Sequence, residues 1–326
     1  MRRPRQSLVP CPVSGHRHRL ADLTGRTAVV TGGAAGIGYF TAEGLAALGA
    51  HVIILGRDAA RAHAAQRAIA AHIPGASVTF QALDLADLAS VAAAAKALSG
   101  VSSLDVVVAN ASAIGFPEFT KPKEDRGIRP RVTADGHELF WGTNFLGHYA
   151  LLASLLPQVL DAAGCVLVGS LGARTASRPA STVPTPDLQA SDLAKYAQSK
   201  RALGGLHHEL ARRLARHGRG ARVVMAHPGT AVDFLAPHRE GVAQNDPDVP
   251  MIQRVLARPF VHGKDAGAQS LLTAAACPDA DNGSFWGPRW LVRGRPARMK
   301  QPAPDVSGSR RLVEAAAKLA GLELPR

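Results

Sequence analysis

The stretch "TGGAAGIG", residues 31–38, decides the fold, because it joins an apolar run to an amphipathic one through several glycines. The run that leads into it, "TAVVT" (27–31), has the composition of a buried β-strand. The residues that follow, "IGYFTAEGLAALG" (37–49), place apolar side chains at helical spacing and end on a glycine. A glycine turn between a strand and a helix leaves backbone amides free at the positive end of the helix dipole, where a diphosphate binds well. The stretch therefore predicts a dinucleotide-binding site.

The alternation of a β-rich run with an alanine-rich helical run continues along the chain. Further strands are predicted at 51–56, 77–85, 104–110, 165–170 and 221–229, and further helices at 59–72, 87–99, 139–162, 195–217 and 264–276. Such alternation is typical of βαβ units with a parallel sheet. We therefore predict an α/β fold with a doubly wound parallel sheet of the Rossmann type, as a single domain with a C-terminal lid and tail.

Changes of composition suggest how the chain is divided. Residues 1–20 are basic and are expected to form a disordered extension, and residues 21–292 are expected to form the Rossmann-type domain. Within that domain, residues 231–262 are expected to be a substrate lid, because they combine a loop with a short apolar helix. Residues 293–326 are expected to be a basic linker and a C-terminal helix.

Two segments outside the regular pattern are also predicted. Residues 113–136 contain prolines, glycines and a basic cluster, and they are expected to form a loop. The C-terminal helix is expected to begin near Ser309. Its apolar stripe is expected to consist of Leu312, Val313, Ala316 and Leu319.

The charge of the chain is concentrated at its two ends. The 326 residues are 46% hydrophobic and 19% charged, which is enough apolar content for a sizeable core. Of the net charge of +13, residues 1–20 carry +5 and residues 289–311 carry +6, while residues 21–288 carry only +2. A nearly neutral body argues against specific nucleic-acid binding as the main function.

The cysteines and histidines indicate the cellular compartment and whether a metal site is expected. The three cysteines are far apart and form neither a metal-binding spacing nor a disulfide framework, which favours a reducing cytoplasm. The chain contains no run of eighteen apolar residues, so no membrane span is predicted. Among the 13 histidines no pair has a convincing ligand spacing, so no metal is expected. His148, within a predicted buried helix, is expected to be a hydrogen-bonded structural residue.

The end of the second strand predicts which dinucleotide is preferred. An acidic residue at this strand tip would bind a ribose 2′-hydroxyl, whereas a nearby arginine accepts a 2′-phosphate. Gly56 stands where the acid usually stands, and Arg57 follows it. NADP(H) is therefore expected to be preferred, and NAD(H) stays open because Asp58 is the next residue. The better role for Asp58 is to cap the helix that follows.

"KYAQSKRAL", residues 195–203, places a phenol and an ammonium one helical turn apart. Tyr196 and Lys200 are separated by four positions, so they lie over each other on one helix face. A fixed positive charge favours the phenolate and lowers the pKa of the tyrosine. The pair is expected to make Tyr196 a general acid or base near neutral pH.

Taken together, these motifs resemble the short-chain dehydrogenase/reductase family over roughly residues 22–292. The similarity is greatest to the branch of retinol-dehydrogenase-like and protochlorophyllide-reductase-like oxidoreductases, which shares the Asn-x-x-Gly-His pattern of "GTNFLGHYALL" (142–152). One segment departs from the family pattern: "VVANAS" (107–112) has Ala109 and Ser112 where the family usually has asparagine and glycine.

The resemblance implies roles for particular residues. It implies that Asn144, Ser170, Tyr196 and Lys200 are catalytic, with Ser170 bonding the substrate oxygen and Asn144 holding a water that relays protons to Lys200. Lys200 would also bond the nicotinamide ribose. The cofactor-binding residues that it implies are Thr31, Gly32, Gly36, Ile37, Gly38, Arg57, Asp84, Leu85, Asn110, Ala111, Tyr196, Lys200, Pro228, Gly229 and Thr230.

The expected activity is hydride transfer between NADP(H) and a hydrophobic alcohol or carbonyl substrate, whose identity the sequence leaves open. The apolar lid suggests the hydrophobic character of the substrate. A catalytically silent NADP(H)-sensing regulator on the same fold is the alternative, and the basic tails leave a nucleic-acid or membrane partner as a third hypothesis. Family resemblance also implies a homo-oligomer that assembles through the 139–162 and 195–217 helices.

Overall fold

A computed structural model describes residues 8–9, 20–114, 132–159, 164–184, 190–217, 220–244, 249–301 and 305–324. Most of the predicted N-terminal extension and residues 115–131 of the predicted 113–136 loop lie outside these ranges. Leu8 and Val9, which belong to the predicted extension, form a short strand that pairs with Leu20 and Ala21.

An eight-stranded sheet forms the centre of the fold. Two short strands precede it in the chain, β1 (Leu8–Val9) and β2 (Leu20–Ala21). The strands of the sheet are β3 (Thr27–Thr31), β4 (His51–Gly56), β5 (Val78–Ala82), β6 (Val106–Ala109), β7 (Gly164–Val168), β8 (Arg222–Ala226), β11 (Phe285–Pro288) and β12 (Pro296–Arg298). Their order across the sheet is β12-β11-β8-β7-β6-β3-β4-β5. All neighbours are parallel except the edge strand β12, which runs antiparallel to β11.

Helices connect the strands and cover the sheet. They are α1 (Gly36–Ala47), α2 (Ala59–His72), α3 (Leu88–Leu98), α4 (Leu139–Trp141), α5 (Gly147–Val159), α6 (Asp192–His217), α7 (Met251–Ala257), α8 (Lys264–Ala276) and α9 (Val306–Ala320). Outside the main sheet, β9 (Ala231–Val232) pairs in parallel with β10 (His262–Gly263). None of the described helices is both long enough and apolar enough to cross a bilayer.

The central strands are continuous apolar runs because both faces of the sheet are covered. Alternate residues of one strand enter different cores: Val29 packs on the α5 and α6 side, whereas Val30 packs on the α1 and α8 side. The same alternation separates Val107 from Val108. The predicted α/β doubly wound sheet is confirmed.

The strand order reverses beside β3, and this reversal positions the site. β3 has β4 on one side and β6 on the other, so the chain leaves β3 and β6 towards opposite edges of the sheet. In open α/β sheets the crevice at such a reversal, beyond the carboxyl ends of the strands, is where ligands bind. The turn 31–38 and residues 110–113 border this crevice.

The C-terminal segment is packed into the domain. β12 extends the main sheet, although the sequence suggested only a linker there. On α9, Leu312, Val313 and Ala316 are buried as predicted, but Leu319 is 39% exposed. Leu319 was therefore wrongly placed in the buried stripe. Beyond α9, the carbonyl oxygens of Leu322 and Leu324 accept hydrogen bonds from Tyr149 and Arg213 of the core helices.

The packing of α9 bears on the expected oligomer. Nearly all residues of 142–156 and 197–210 are buried or half-buried. Leu312 of α9 lies directly over Gly205 of α6, where a Cβ would come within 2.8 Å of Leu312 Cδ2. The helices to which the resemblance assigns subunit contacts are thus largely enclosed within a single chain.

Replacement of Leu312 by alanine tests whether α9 is part of the core. We expect Leu312→Ala to lower the free energy of unfolding by roughly 3 kcal/mol, because Leu312 is fully buried and its loss leaves a cavity. Leu319→Ala, the same change on the same helix at an exposed position, should cost less than about 1 kcal/mol. Urea unfolding measures both, and equal effects would contradict this packing.

Candidate active site

The glycine turn 31–38 brings the backbone close to residues 110–111. Gly32 and Gly36 have φ angles of +65° and +57°, which other residues rarely adopt. A Cβ on Gly38 would collide with the carbonyl oxygen of Gly32 and lie 2.5 Å from Asn110 Nδ2. The turn therefore requires glycine for reasons of conformation and space, and its close packing presents backbone amides at the start of α1.

Thr31 is a buried hydrogen-bonding centre beneath this turn. Its Oγ1 accepts from the backbone N–H groups of Asn110 and Ala111, both at 2.9 Å, and lies 3.0 Å from His148 Nε2. Asn110 in turn donates through Nδ2 to the carbonyl oxygen of Thr31 at 2.9 Å. The side chain of Thr31 is fully buried, so it organises the turn from within.

His148 connects this centre to the next helix. Its Nδ1 lies 3.0 Å from the carbonyl oxygen of Asn144, which can only accept, so Nδ1 carries the proton and Nε2 accepts from the Thr31 hydroxyl. Burial lowers the pKa of His148 to about 4. The neutral ring fits this pattern, and the predicted structural role of His148 is consistent with it.

Asn144 lies in a π-helical turn, Gly142–Leu146, between α4 and α5. Its Oδ1 accepts from the backbone N–H of Ala113 at 2.6 Å, and its Nδ2 donates to Ala113 O at 3.0 Å and to Ser199 Oγ at 2.9 Å. The side chain thus ties the segment after β6 to α6. Ser199, which the sequence did not single out, is the residue of α6 that receives this contact.

Ser170 lies just beyond the carboxyl end of β7, at the start of a short 3-10 helix, Leu171–Thr175. Its Oγ accepts from the backbone N–H of Gly172 at 3.1 Å. Its side chain is also hydrogen-bonded to Tyr196. Ser170 therefore accepts from Gly172 and donates its own proton to Tyr196.

Tyr196 and Lys200 lie on one face of α6, as their spacing predicted. Lys200 Nζ is 5.8 Å from the centre of the Tyr196 ring and donates to the carbonyl oxygen of Val168 at 2.9 Å. Burial lowers the pKa of Lys200 to about 7. Burial also raises the pKa of Tyr196, and the hydrogen bond from Ser170 opposes that rise. The pKa of Tyr196 is therefore raised, whereas the spacing to Lys200 had predicted that it would be lowered. The reason is that burial has a larger effect on this pKa than the hydrogen bond from Ser170.

The end of β4 carries the residues that bear on the 2′-position of a nucleotide. Arg57 is 74% exposed, and its Nη1 lies 3.9 Å from Asp84 Oδ2. Asp58 Oδ1 accepts from the backbone N–H of Arg61 at 3.0 Å, so Asp58 caps α2 as expected. Leu85 is buried in the core, whereas Asp84 stays partly exposed beside Arg57.

The Pro228–Thr230 turn closes the other side of the crevice. Gly229 has a φ angle of +73°, and Thr230 N donates to Val292 O at 2.7 Å. His262 Nε2 lies 2.6 Å from Pro228 O. The strand β10 and the segment after β11 therefore hold this turn in place.

The remaining sequence-predicted residues lie at the same edge of the sheet. Ile37 is half-buried in the first turn of α1, packed on the α1 and α8 core. Within the parts of the chain that the structure describes, no group of three or more His, Cys, Asp or Glu side chains is placed to hold a metal ion. Sequence reasoning missed Lys264 and Asp233, which form an ion pair of 2.5 Å beside Gly36.

The fold and this crevice define an α/β protein of the Rossmann type. Residues 26–240 match the family model of the short chain dehydrogenases. The chain belongs to the short-chain dehydrogenase/reductase family, whose members are oxidoreductases acting on alcohol and carbonyl groups. The family resemblance given by the motifs is confirmed.

Individual relatives place the chain near the retinol-dehydrogenase-like members. It is 33% identical to polyprenol dehydrogenase of Mus musculus over 93% of this chain and 86% of that protein. It is 31% identical to retinol dehydrogenase 13 of Homo sapiens over 94% of this chain and 87% of that protein. A crystal structure of an uncharacterized protein from Mycobacterium paratuberculosis superposes with a TM-score of 0.72 at 30% identity, covering 94% of this chain and 97% of that chain.

Replacement of Thr31 by valine tests the hydrogen-bonding centre. The change keeps the shape but leaves the backbone N–H of Ala111 and His148 Nε2 without this partner and removes one of the two acceptors of Asn110 N–H, so we expect a loss of roughly 3 kcal/mol in the free energy of unfolding. Thr41→Val is the matched control: Thr41 is also buried, but its hydroxyl bonds only to the i−4 helix carbonyl of Ile37 among the contacts described. Denaturant unfolding should show a smaller loss for Thr41→Val, and similar losses would argue against the centre.

Proposed function

We propose that the protein transfers a hydride between NADP(H) and a hydrophobic alcohol or carbonyl compound, with Tyr196 as the general acid or base. The observation that carries the proposal is the hydrogen bond between Ser170 and Tyr196, one helical turn from a buried Lys200. These groups lie at the carboxyl edge of the sheet, the same edge as the glycine turn. A proton-transferring group and a dinucleotide seat are thus brought to one crevice.

The glycine turn fits the diphosphate of a dinucleotide. Its glycines allow the turn to pack closely on Asn110 and Ala111, and no side chain caps the first backbone N–H groups of α1, which could therefore bind a diphosphate. A nicotinamide bound beside Tyr196 would supply or accept the hydride. We assign the cofactor-binding role to the turn, to Asn110 and Ala111, and to the Pro228–Thr230 turn.

The side chains of the site are suited to handle the proton. Ser170 can donate its hydroxyl proton to the oxygen of a bound substrate, because Gly172 already donates to Ser170. Tyr196 is neutral and protonated at neutral pH, since its pKa is raised, so it can donate to the same oxygen. Lys200, with a pKa of about 7, can exchange protons near neutral pH. Its role would be to restore the Tyr196 proton and to bond a ribose hydroxyl.

Asn144 has a positioning role in this scheme. The three hydrogen bonds of its side-chain amide, two with Ala113 and one with Ser199, use both its donor and its acceptor groups. We therefore assign Asn144 to holding α6, and with it Tyr196 and Lys200, against the end of β6. A water that relays protons to Lys200 would bind the remaining lone pairs of Asn144 Oδ1 and of the Ala113 carbonyl oxygen.

The lid supports a hydrophobic substrate. Met251, Ile252 and Leu256 of α7 are exposed, and Met251 is 80% exposed, so this helix has an apolar surface available to a ligand. Two relatives are named for polyprenol and retinol, which are both hydrophobic alcohols.

A reducing cytoplasm remains the proposed location, supported by the buried free thiols of Cys165 and Cys277.

Replacement of Tyr196 by phenylalanine tests the acid–base role. We expect kcat to fall by on the order of 10³-fold, because the proton donor is removed, while the Kd for NADPH changes little. Tyr149→Phe is the control: it removes a hydroxyl that donates to Leu322 O of the C-terminal segment and touches none of the proposed catalytic groups in the contacts described, so it should leave kcat unchanged.

The assay for this pair is NADPH oxidation with a panel of hydrophobic aldehydes and ketones. Full activity of Tyr196→Phe would overturn the acid–base assignment. Tight NADPH binding by the wild type, with turnover of none of the panel, would favour the regulatory sensor.

Replacement of Arg57 by alanine tests the preference for NADP(H). We expect the KM for NADPH to rise roughly tenfold, because a guanidinium–phosphate pair is lost, while the KM for NADH stays the same. Arg61→Ala, one turn into α2 and also exposed, is the control and should change neither value. A wild type that prefers NADH would contradict the proposal.

A further inference from the structure

The ammonium of Lys264 lies over the glycine turn. Lys264 is the first residue of α8 and is 17% exposed. Its Cδ and Nζ are each 3.4 Å from the point that a Cβ on Gly36 would occupy. The side chain therefore reaches from the start of one helix to the start of another, since Gly36 is the first residue of α1.

This is an unfavourable place for a cation in the absence of an anion. The N-terminal end of a helix carries a partial positive charge from its free N–H groups, and cations there are disfavoured. Other helices of this chain begin on a carboxylate that accepts from their N–H groups, as Asp58, Asp87 and Asp305 do. The residues before α1 and α8, Ala35 and Gly263, have no polar side chain. Two helix ends and an ammonium are thus brought together.

Two carboxyl groups face this cluster of positive charge. Asp233 Oδ2 lies 2.5 Å from Lys264 Nζ, and Asp233 is nearly fully buried. Asp265 lies in the first turn of α8, where its carboxyl group is hydrogen-bonded to backbone N–H groups of that turn, and burial raises its pKa. Arg239 is the other nearby cation and is held by Glu43 at 2.7 and 3.1 Å. Asp233 thus balances Lys264 and Glu43 balances Arg239, while the N-terminal end of α1, which no side chain caps, remains to attract an added anion.

We propose that Lys264 is a diphosphate-binding residue, whose ammonium contacts the diphosphate of the dinucleotide above the glycine turn. The inference rests on the proposed function, which places a dinucleotide on that turn. Asp233 holds the ammonium over the turn and competes with the diphosphate for it. Because Asp233 belongs to the lid segment 231–262, this contact also joins the lid to the cofactor seat.

Lys264 and Arg57 would contact different parts of the nucleotide. The diphosphate is common to NADPH and NADH, so the loss of Lys264 should weaken both by the same factor. Arg57 contacts only the 2′-phosphate, so its loss should weaken NADPH alone. Adenosine 2′-monophosphate, which has no diphosphate, should be insensitive to Lys264.

The experiment measures the Kd of NADPH and NADH by fluorescence titration, and that of adenosine 2′-monophosphate by competition with NADPH. Lys264→Gln is the main variant, because its amide can still donate to Asp233 and keeps that buried carboxylate hydrogen-bonded. We expect a rise of roughly tenfold in both dinucleotide Kd values and no change for the monophosphate. Lys264→Arg should stay near the wild type, and Lys96→Gln, the same change at an exposed position on α3, should match the wild type.

Asp233→Asn distinguishes a binding role from a merely structural ion pair. If the pair only stabilised the lid, its loss from either side would weaken binding. If Lys264 binds the diphosphate, Asp233→Asn should bind NADPH at least as tightly as the wild type, because the ammonium loses its competitor. Weaker binding by Asp233→Asn, to the same degree as by Lys264→Gln, would overturn the proposal.

Different results would contradict the proposed function and the role of Lys264. A wild type that binds neither dinucleotide would overturn the proposed function itself. A wild type that binds both, with Lys264→Gln binding them equally well, would overturn only the role of Lys264. An equal loss for the monophosphate in Lys264→Gln would also overturn it, since the effect would then not be specific to the diphosphate.

Discussion

The hydroxyl group of Thr31 is the contact on which the rest of the site depends. It accepts from two backbone N–H groups that follow β6 and donates to His148, which holds the carbonyl of Asn144. The Asn144 side chain then bonds Ser199 of α6, three positions from Tyr196. A continuous set of buried hydrogen bonds therefore runs from the glycine turn to the helix with the phenol, and it sets the geometry of one relative to the other.

Burial gives the centre of the crevice a different electrostatic character from its ends. Burial disfavours the charged forms of Lys200, Tyr196 and His148, so the middle of the site is close to neutral. Lys264 lies over the start of α1, and Arg57 follows the end of β4. An uncharged centre suits an apolar carbonyl compound, whereas the cations suit the phosphates of a dinucleotide.

Local patterns predicted much of the fold and of the site, because they depend on neighbours in sequence. The strand at 27–31, the cap Asp58 and the pairing of Tyr196 with Lys200 on one face all follow from spacing. The π turn around Asn144, the strand β12 and the ion pair of Lys264 depend on residues distant in the chain, so spacing alone could not reveal them. Leu319 fits a helical stripe by its position, yet the face of α9 that enters the core runs through Ala316, Ala317 and Ala320, and Leu319 lies outside it.

The placement of α9 has a consequence for how the protein works as a unit. In folding onto α5 and α6, this last helix fills from within the same polypeptide a surface that a second molecule would otherwise have to cover. Each chain therefore completes its own hydrophobic interior around the phenol-bearing helix. The packing of this helix therefore does not depend on a second copy of the chain.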